Sequence, residues 1–193
     1  VASGKGVVAG RFASRGVPVI NADDLAREAL ARGGAGLRSV VERFGASVLA
    51  QDGNLDRGAL AQLVFHDRTA LEALNAIVHP IVGELLRERL KTLEEQGVSL
   101  ACYEVPLLFE NGLQALFHPV VLVAASAETQ VQRAMARSGW TAEQARARVA
   151  AQWPLAEKRK LADFVIDNDG ALELTLSRAD EVLDAVRATV QSS

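Results

Sequence analysis

VASGKGVVAGRF (residues 1–12) sets a glycine, a lysine and a second glycine at the head of a run with helical spacing. Gly4 and Lys5 match the end of a phosphate-binding loop of the form G-x-x-x-x-G-K-[ST], whose backbone N–H groups and lysine surround phosphate oxygens. Gly6 stands where the hydroxyl residue belongs and Val7 supplies none either, so the usual hydroxyl ligand of magnesium is missing. The first glycine of such a loop, and the strand feeding it, would lie before residue 1. Read by itself, the match is poor, and the bland alternative, a solvated lysine in a frayed terminus, is favoured.

Working outward, four short runs are rich in β-branched residues: VPVI (17–20), VSLACYEV (98–105), VVLVA (120–124) and FVI (164–166). Helical patterns separate most of them, and strands alternating with helices predict a parallel sheet covered on both faces. The first helix is expected from the Gly4–Gly6 turn to Ser14, ended by Gly16, and ADDLAREALA after Asn21 predicts another. Asp56 is placed to cap a helix through Phe65, Thr69 with Glu72 has capping-box spacing, and Pro80 suits the first turn of a further helix. Helices are expected over 128–138, 142–153 and about 172–190, with Thr141 and Gln144 forming a second capping box and Pro154 stopping the helix before it.

The bulk composition bounds the function. A chain of 193 residues, 49% hydrophobic and 23% charged, is long enough to bury a real core. A net charge of -3 argues against a broad phosphate-backbone surface and so against nucleic acid as partner. The lone Cys102 forms no internal disulfide, as suits a reducing cytoplasm, and reads as a small core residue. No apolar run is read as approaching the roughly 20 residues that cross a bilayer, so no membrane is expected.

Several positions carry possible chemistry. VPVINAD sets Asn21 and Asp23 just past a strand's carboxyl end, where open α/β sheets bind ligands. Asp23 there accepts a hydroxyl proton or positions magnesium, or else caps a helix in competition with Asp24. In YEVPLLFENG, Glu104 within an apolar strand is costly unless paired or facing a cleft, and Pro106, Leu107 and Glu110 follow in the loop. His79, before Pro80, reaches a ligand or satisfies a buried hydrogen bond. His66 and His118 sit in unrelated contexts, without zinc spacing. Arg133, Arg137, Arg146 and Arg148 lie on two helices that, folded as a hairpin, gather charge suited to phosphates. The run EKRK (157–160) reads as solvated.

Taken together, these segments resemble dephospho-coenzyme A kinases, P-loop kinases of the nucleoside-monophosphate-kinase type. ASGKG stands where that family has Gly-Ser-Gly-Lys-Ser-Thr. GVPVINADDLARE resembles its Val-Ile-Asp-Ala-Asp segment, and LDRGALAQLVF, LNAIVHP and VPLLFENG follow in order. RAMARSGWTAEQARARVAAQ resembles the lid and LADFVIDNDG the segment near the base. The likeness spans essentially the whole chain.

The resemblance implies a single three-layer α/β/α P-loop kinase domain with a five-stranded parallel sheet, its central first strand absent from this sequence. The core is expected at 1–30, 97–126 and 160–193, a helical acceptor-side insertion at about 31–96 and a lid at about 127–159. It implies transfer of the ATP γ-phosphate to the ribose 3′-hydroxyl of dephospho-coenzyme A, with ATP and Mg2+ required. Ala2, Ser3, Gly4, Lys5, Gly6 and Val7 would form the nucleotide loop, Lys5 holding the β- and γ-phosphates, and Asn168 would lie near the adenine. Asp23 would be the base, and Arg137 and Arg148 would stabilise charge during transfer. His79, Glu104, Pro106 and Leu107 would face the acceptor.

Three residues depart from the family pattern. Gly6 and Val7 replace its Ser-Thr pair, and Asn21 replaces the first aspartate of Asp-Ala-Asp. The alternative they raise is a weakened or inactive relative that keeps the fold and ligand binding. A central strand removed from a sheet leaves two unpaired ladders, so a working protein is expected to carry about ten further residues before Val1.

Overall fold

The computed structural model describes residues 1–65 and 67–191; His66 lies outside the described residues. In chain order the regular elements are α1 (Lys5–Ser14), β1 (Val19–Asn21), α2 (Ala22–Ala29), α3 (Ala35–Phe44), α4 (Arg57–Phe65), α5 (Arg68–Glu95) and β2 (Cys102–Glu104). They continue with β3 (Val121–Ala124), α6 (Ala127–Ser138), α7 (Ala142–Ala150), α8 (Leu155–Leu161), β4 (Phe164–Asp167) and α9 (Leu172–Gln191). The chain divides into two compact units, one of Val1–Val19 with the chain from Ser99 onward, the other Ile20–Val98. Among the described strands, β3 pairs with β4. All four expected strands are present with altered ends: β1 starts at Val19 and takes in Asn21, β3 loses Val120, β4 gains Asp167, and of VSLACYEV only Cys102–Glu104 is strand.

In the first unit β3 and β4 run parallel, with Val121 opposite Phe164 and Ala124 opposite Asp167. Side chains alternate across a strand, and the alternation sorts these residues between two cores. Val121, Val123, Phe164 and Ile166 pack with Val8 and Phe12 of α1 and with Ala179, Val182, Leu183 and Val186 of α9. Val120, Leu122, Ala124 and Val165 pack with Phe109 and with Leu155 of α8. Helices therefore cover both faces, the α/β arrangement expected from the sequence. Burying each large apolar side chain contributes about 1.5–3 kcal/mol. Cys102 packs against the first of these cores, and burial pushes its thiol up to about 11. Arg11 clasps Asp180 through two hydrogen bonds of 2.9 and 2.6 Å, and Arg15 meets Asp180 at 2.8 Å, tying α1 to α9.

In the second unit α2, α3 and α4 pack on α5, around Leu30, Val40, Val48, Leu60 and Val78. Asp56 caps α4 as expected, its Oδ1 accepting the Ala59 N–H at 2.9 Å. Two expectations fail here. The cap of α5 is Asp67, which accepts from Ala70 N at 3.0 Å, while Glu72 pairs with Arg68 at 2.9 Å rather than closing a box with Thr69. Pro80 lies inside α5, not at a helix start. An interior proline costs about 3 kcal/mol or more, which the apolar packing of Leu74, Ile77, Val78 and Val82 offsets. By length and composition α5 also meets the requirement for a membrane span, with a mean hydropathy of 1.2 over its most apolar stretch. Leu74, Ile77, Val78 and Val82 of this helix belong to the core of the unit.

Candidate active site

The loop that opens the chain owes its shape to two small residues. Ala2 sits at φ 49 and Gly4 at φ 95, left-handed conformations that glycine adopts freely and a residue with Cβ, such as Ala2, adopts only at a cost. A Cβ on Gly4 would stand 2.0 Å from Asn168 Nδ2, so the amide occupies the space that glycine leaves. Asn168 Nδ2 donates to the Ser3 carbonyl at 2.7 Å, and Thr175 Oγ1 donates to Asn168 Oδ1 at 2.9 Å. The Asn168 N–H itself donates to Ala124 at the end of β3. Ser3, Asn168 and Thr175 are all buried. The Gly4 carbonyl starts α1 by accepting the Val7 N–H at 3.0 Å. Among the described residues no side chain caps this helix, the arrangement in which first-turn N–H groups meet an anion.

Lys5 opens onto a cavity of about 330 Å³ within the first unit. Its walls include Ser3, Pro106, Phe109, Gln130, Val149, Trp153 and a second lysine, Lys158. Glu104, at the end of β2, turns toward the loop: its Oε1 lies 3.9 Å from where a Cβ on Gly6 would be. Pro106 lines the cavity, whereas Leu107 is exposed and is not part of its wall. Gly6 and Val7 are exposed at the start of α1.

The arginines of α6 and α7 divide. Helices α6 and α7 pack as a hairpin through Val131, Ala134 and Ala145, with Ala2 and Trp140 against them. The Thr141–Gln144 capping box is formed, but α7 ends at Ala150, ahead of Pro154, which instead precedes α8. The Arg148 guanidinium lies over the Trp140 ring at 4.3 Å, and Arg137 is exposed. Arg133 points toward the loop, with Nη1 3.9 Å from the Cβ position of Gly4. That nitrogen is buried without a hydrogen-bond partner among the described residues.

Asp23 and His79 belong to the second unit. Asn21 caps α2, its Oδ1 accepting the N–H groups of Asp23 at 2.8 Å and Asp24 at 3.4 Å. Neither aspartate is therefore the cap, and the exposed Asp23 carboxylate is not used for that purpose. Asparagine caps as well as aspartate, so the residue at 21 keeps its structural role without the charge. His79 is exposed midway along α5. His118 is exposed beside Asp163, and among the described residues no cluster of His, Cys, Asp or Glu is able to hold a metal on its own.

Sequence reading missed the weight of EKRK. Lys158 is buried, 8% exposed, and its Nζ lies 2.6 Å from Glu110 Oε1. The missed signal is helical spacing: Lys158 falls on the same face as Leu155, three residues earlier, and Leu155 packs in a core. Burial alone would raise the Glu110 carboxyl, but the Lys158 ammonium and the Trp153 N–H outweigh it and hold it below the usual range.

Comparison with known proteins gives a consistent result. The family described as dephospho-CoA kinase matches residues 1–173. The chain is 45% identical over 187 residues to the dephospho-CoA kinase of Anaeromyxobacter dehalogenans, covering 97% of this chain and 89% of that protein. To that of Thermobifida fusca it is 41% identical over 192 residues, covering 100% and 95%. Among solved structures it superposes on TT1252 from Thermus thermophilus with a TM-score of 0.85, at 43% identity over 96% of this chain and 92% of that one. The dephospho-CoA kinase of Campylobacter jejuni gives a TM-score of 0.71 at 26% identity, covering 98% and 94%.

Proposed function

This chain belongs to the dephospho-CoA kinase family, and we propose how its own residues divide the work of that reaction. It phosphorylates dephospho-coenzyme A at the expense of ATP, the final step of coenzyme A synthesis. The acceptor atom is the ribose 3′-hydroxyl, and the products are coenzyme A and ADP. The observation that carries the assignment of roles is the left-handed Gly4 turn, locked by Asn168, which presents Lys5 at the N-terminus of α1 on a cavity wall.

Phosphoryl transfer needs positioning and charge stabilisation more than covalent help. Lys5 and the backbone from Ala2 to Val7 hold the β- and γ-phosphates. Arg137 and Arg148 on the lid hairpin stabilise charge during transfer, and Arg133 adds a donor beside Gly4. Asp23 accepts the proton of the 3′-hydroxyl. Glu104 and Pro106 with His79 and Leu107 serve the acceptor side. Asn168 acts on the nucleotide through the loop it fixes rather than through its own amide.

Magnesium takes one or two carboxylates, phosphate oxygens and water, and Glu104 beside Gly6 is a donor of that kind. Glu104 would hold it, and bound magnesium would neutralise charge on the phosphates. The P-loop kinase sheet of five strands, with the loop-bearing strand central, is the finer fold we assign on the same family grounds.

The test is ADP release in the presence of ATP and magnesium, with and without dephospho-coenzyme A. Acceptor-dependent release is expected, lost on Lys5→Met. Release indifferent to the acceptor would overturn the reading.

A further inference from the structure

A buried ion pair returns little stability, because removing both charges from water costs about as much as their attraction gives back. Glu110 and Lys158 form such a pair, 2.6 Å apart, with 15% and 11% of their side chains exposed. Glu110 Oε1 also accepts the Trp153 N–H at 3.0 Å. Oε2, in contrast, is buried with no hydrogen-bond partner among the described residues. An unpartnered carboxylate oxygen makes the pair still less useful as a stabilising device. Its value lies elsewhere.

Lys158 lines the same cavity as Lys5. An ammonium carries three donors, and Glu110 is the carboxylate that takes one of them. Lysine also has a flexible stem that needs a partner to stay aimed. The carboxylate supplies that restraint from a turn anchored by the buried Phe109.

We propose that Lys158 is a second cavity cation for a phosphate oxygen, with Glu110 as the positioning residue that aims it. The oxygen belongs to the ATP triphosphate or to the diphosphate of dephospho-coenzyme A, which share the chemistry. The inference rests on the kinase reading above.

Four variants of the full chain test it: K158M, K158R, E110Q and the double variant E110Q/K158M. The steady-state constants for each substrate are measured beside thermal melting. K158M is expected to raise KM at least tenfold for one substrate, and which KM moves identifies the phosphate; K158R is expected to recover part of the loss. The double variant strands no charge, so it folds even where K158M does not, and it is expected to keep the defect. Unchanged KM for both substrates in a folded double variant would show that the pair serves the fold alone. Should the unaltered chain show no acceptor-dependent turnover, the kinase reading fails separately. Calorimetric binding of ADP and of dephospho-coenzyme A then decides for Lys158: weaker binding of either by the double variant supports it, and equal binding of both overturns it.

Discussion

Asn168 donates its side-chain amide to the Ser3 carbonyl at 2.7 Å, joining residues 165 apart in sequence. With Thr175 on its Oδ1, both polar atoms of the side chain are committed inside the protein. The asparagine thus sets the loop that precedes Lys5. Asn168→Ala leaves the Ser3 carbonyl and the Thr175 hydroxyl without these partners, at about 1–3 kcal/mol. In a domain of this size about 1 kcal/mol lowers Tm by roughly 2–4 °C. The expected outcome is a lower Tm together with an ATP KM raised at least about tenfold, while the KM for the acceptor changes less. An equal effect on both substrates would count against the loop as the route.

Two glycines two residues apart should respond oppositely. Gly4 combines φ 95 with a Cβ position 2.0 Å from Asn168 Nδ2. Gly4→Ala therefore costs about 1–3 kcal/mol in backbone strain, displaces the Asn168 amide, and is expected to reduce kcat/KM for ATP by about a hundredfold or more. At Gly6 the nearest atom to an added Cβ is Glu104 Oε1 at 3.9 Å, an ordinary contact. Gly6→Ser is expected to fold and to gain about 0.5 kcal/mol of helix propensity. Its hydroxyl should also lower the magnesium concentration needed for half-maximal rate. Magnesium titrations of both variants check this, and a serine variant with a raised requirement would be the contrary result.

The order of strands and helices was readable because apolar runs and caps are local signals. Asp56 and the Thr141–Gln144 box behave as their spacing implies. Pro80 misled because a tertiary core overrides the intrinsic penalty of one residue. Thr69 misled because Asp67, two residues earlier, competes for the same end of the helix. That Lys5 opens a helix and Glu104 ends a strand was legible from type and place. The inward turn of Lys158 was not, since a lysine in a charged run looks solvated until Glu110 is seen opposite it. The same holds for Asn168, whose amide meets a carbonyl from the far end of the chain.

The Arg148 guanidinium over Trp140 at 4.3 Å makes the ring a support for this arginine of α7. A cation–π contact of this kind is worth about 0.5–2 kcal/mol. Trp140→Phe keeps a ring face and is expected to retain most of the activity. Trp140→Leu keeps apolar bulk beside Val131 and Ala134 but frees the guanidinium, and kcat is expected to fall about three- to thirtyfold with little change in Tm. Equal kcat in the two variants would remove the ring from the argument.

Acid should loosen the α1–α9 tie through Asp180. Hydrogen bonds from Arg11, with Arg15 beside it, hold the Asp180 carboxyl below its ordinary value. A carboxyl whose folded pKa is depressed contributes stability that is fully present above its unfolded value, near 3.9, and is lost as pH falls through the folded value. Asp180→Asn cannot ionise, so it should lower Tm near neutrality, where the tie is intact. Its deficit relative to the unaltered chain should then shrink as the pH falls below about 4. Melting both proteins across a pH series measures that gap. Parallel curves down to the acid limit would show that Asp180 contributes through packing and not through its charge.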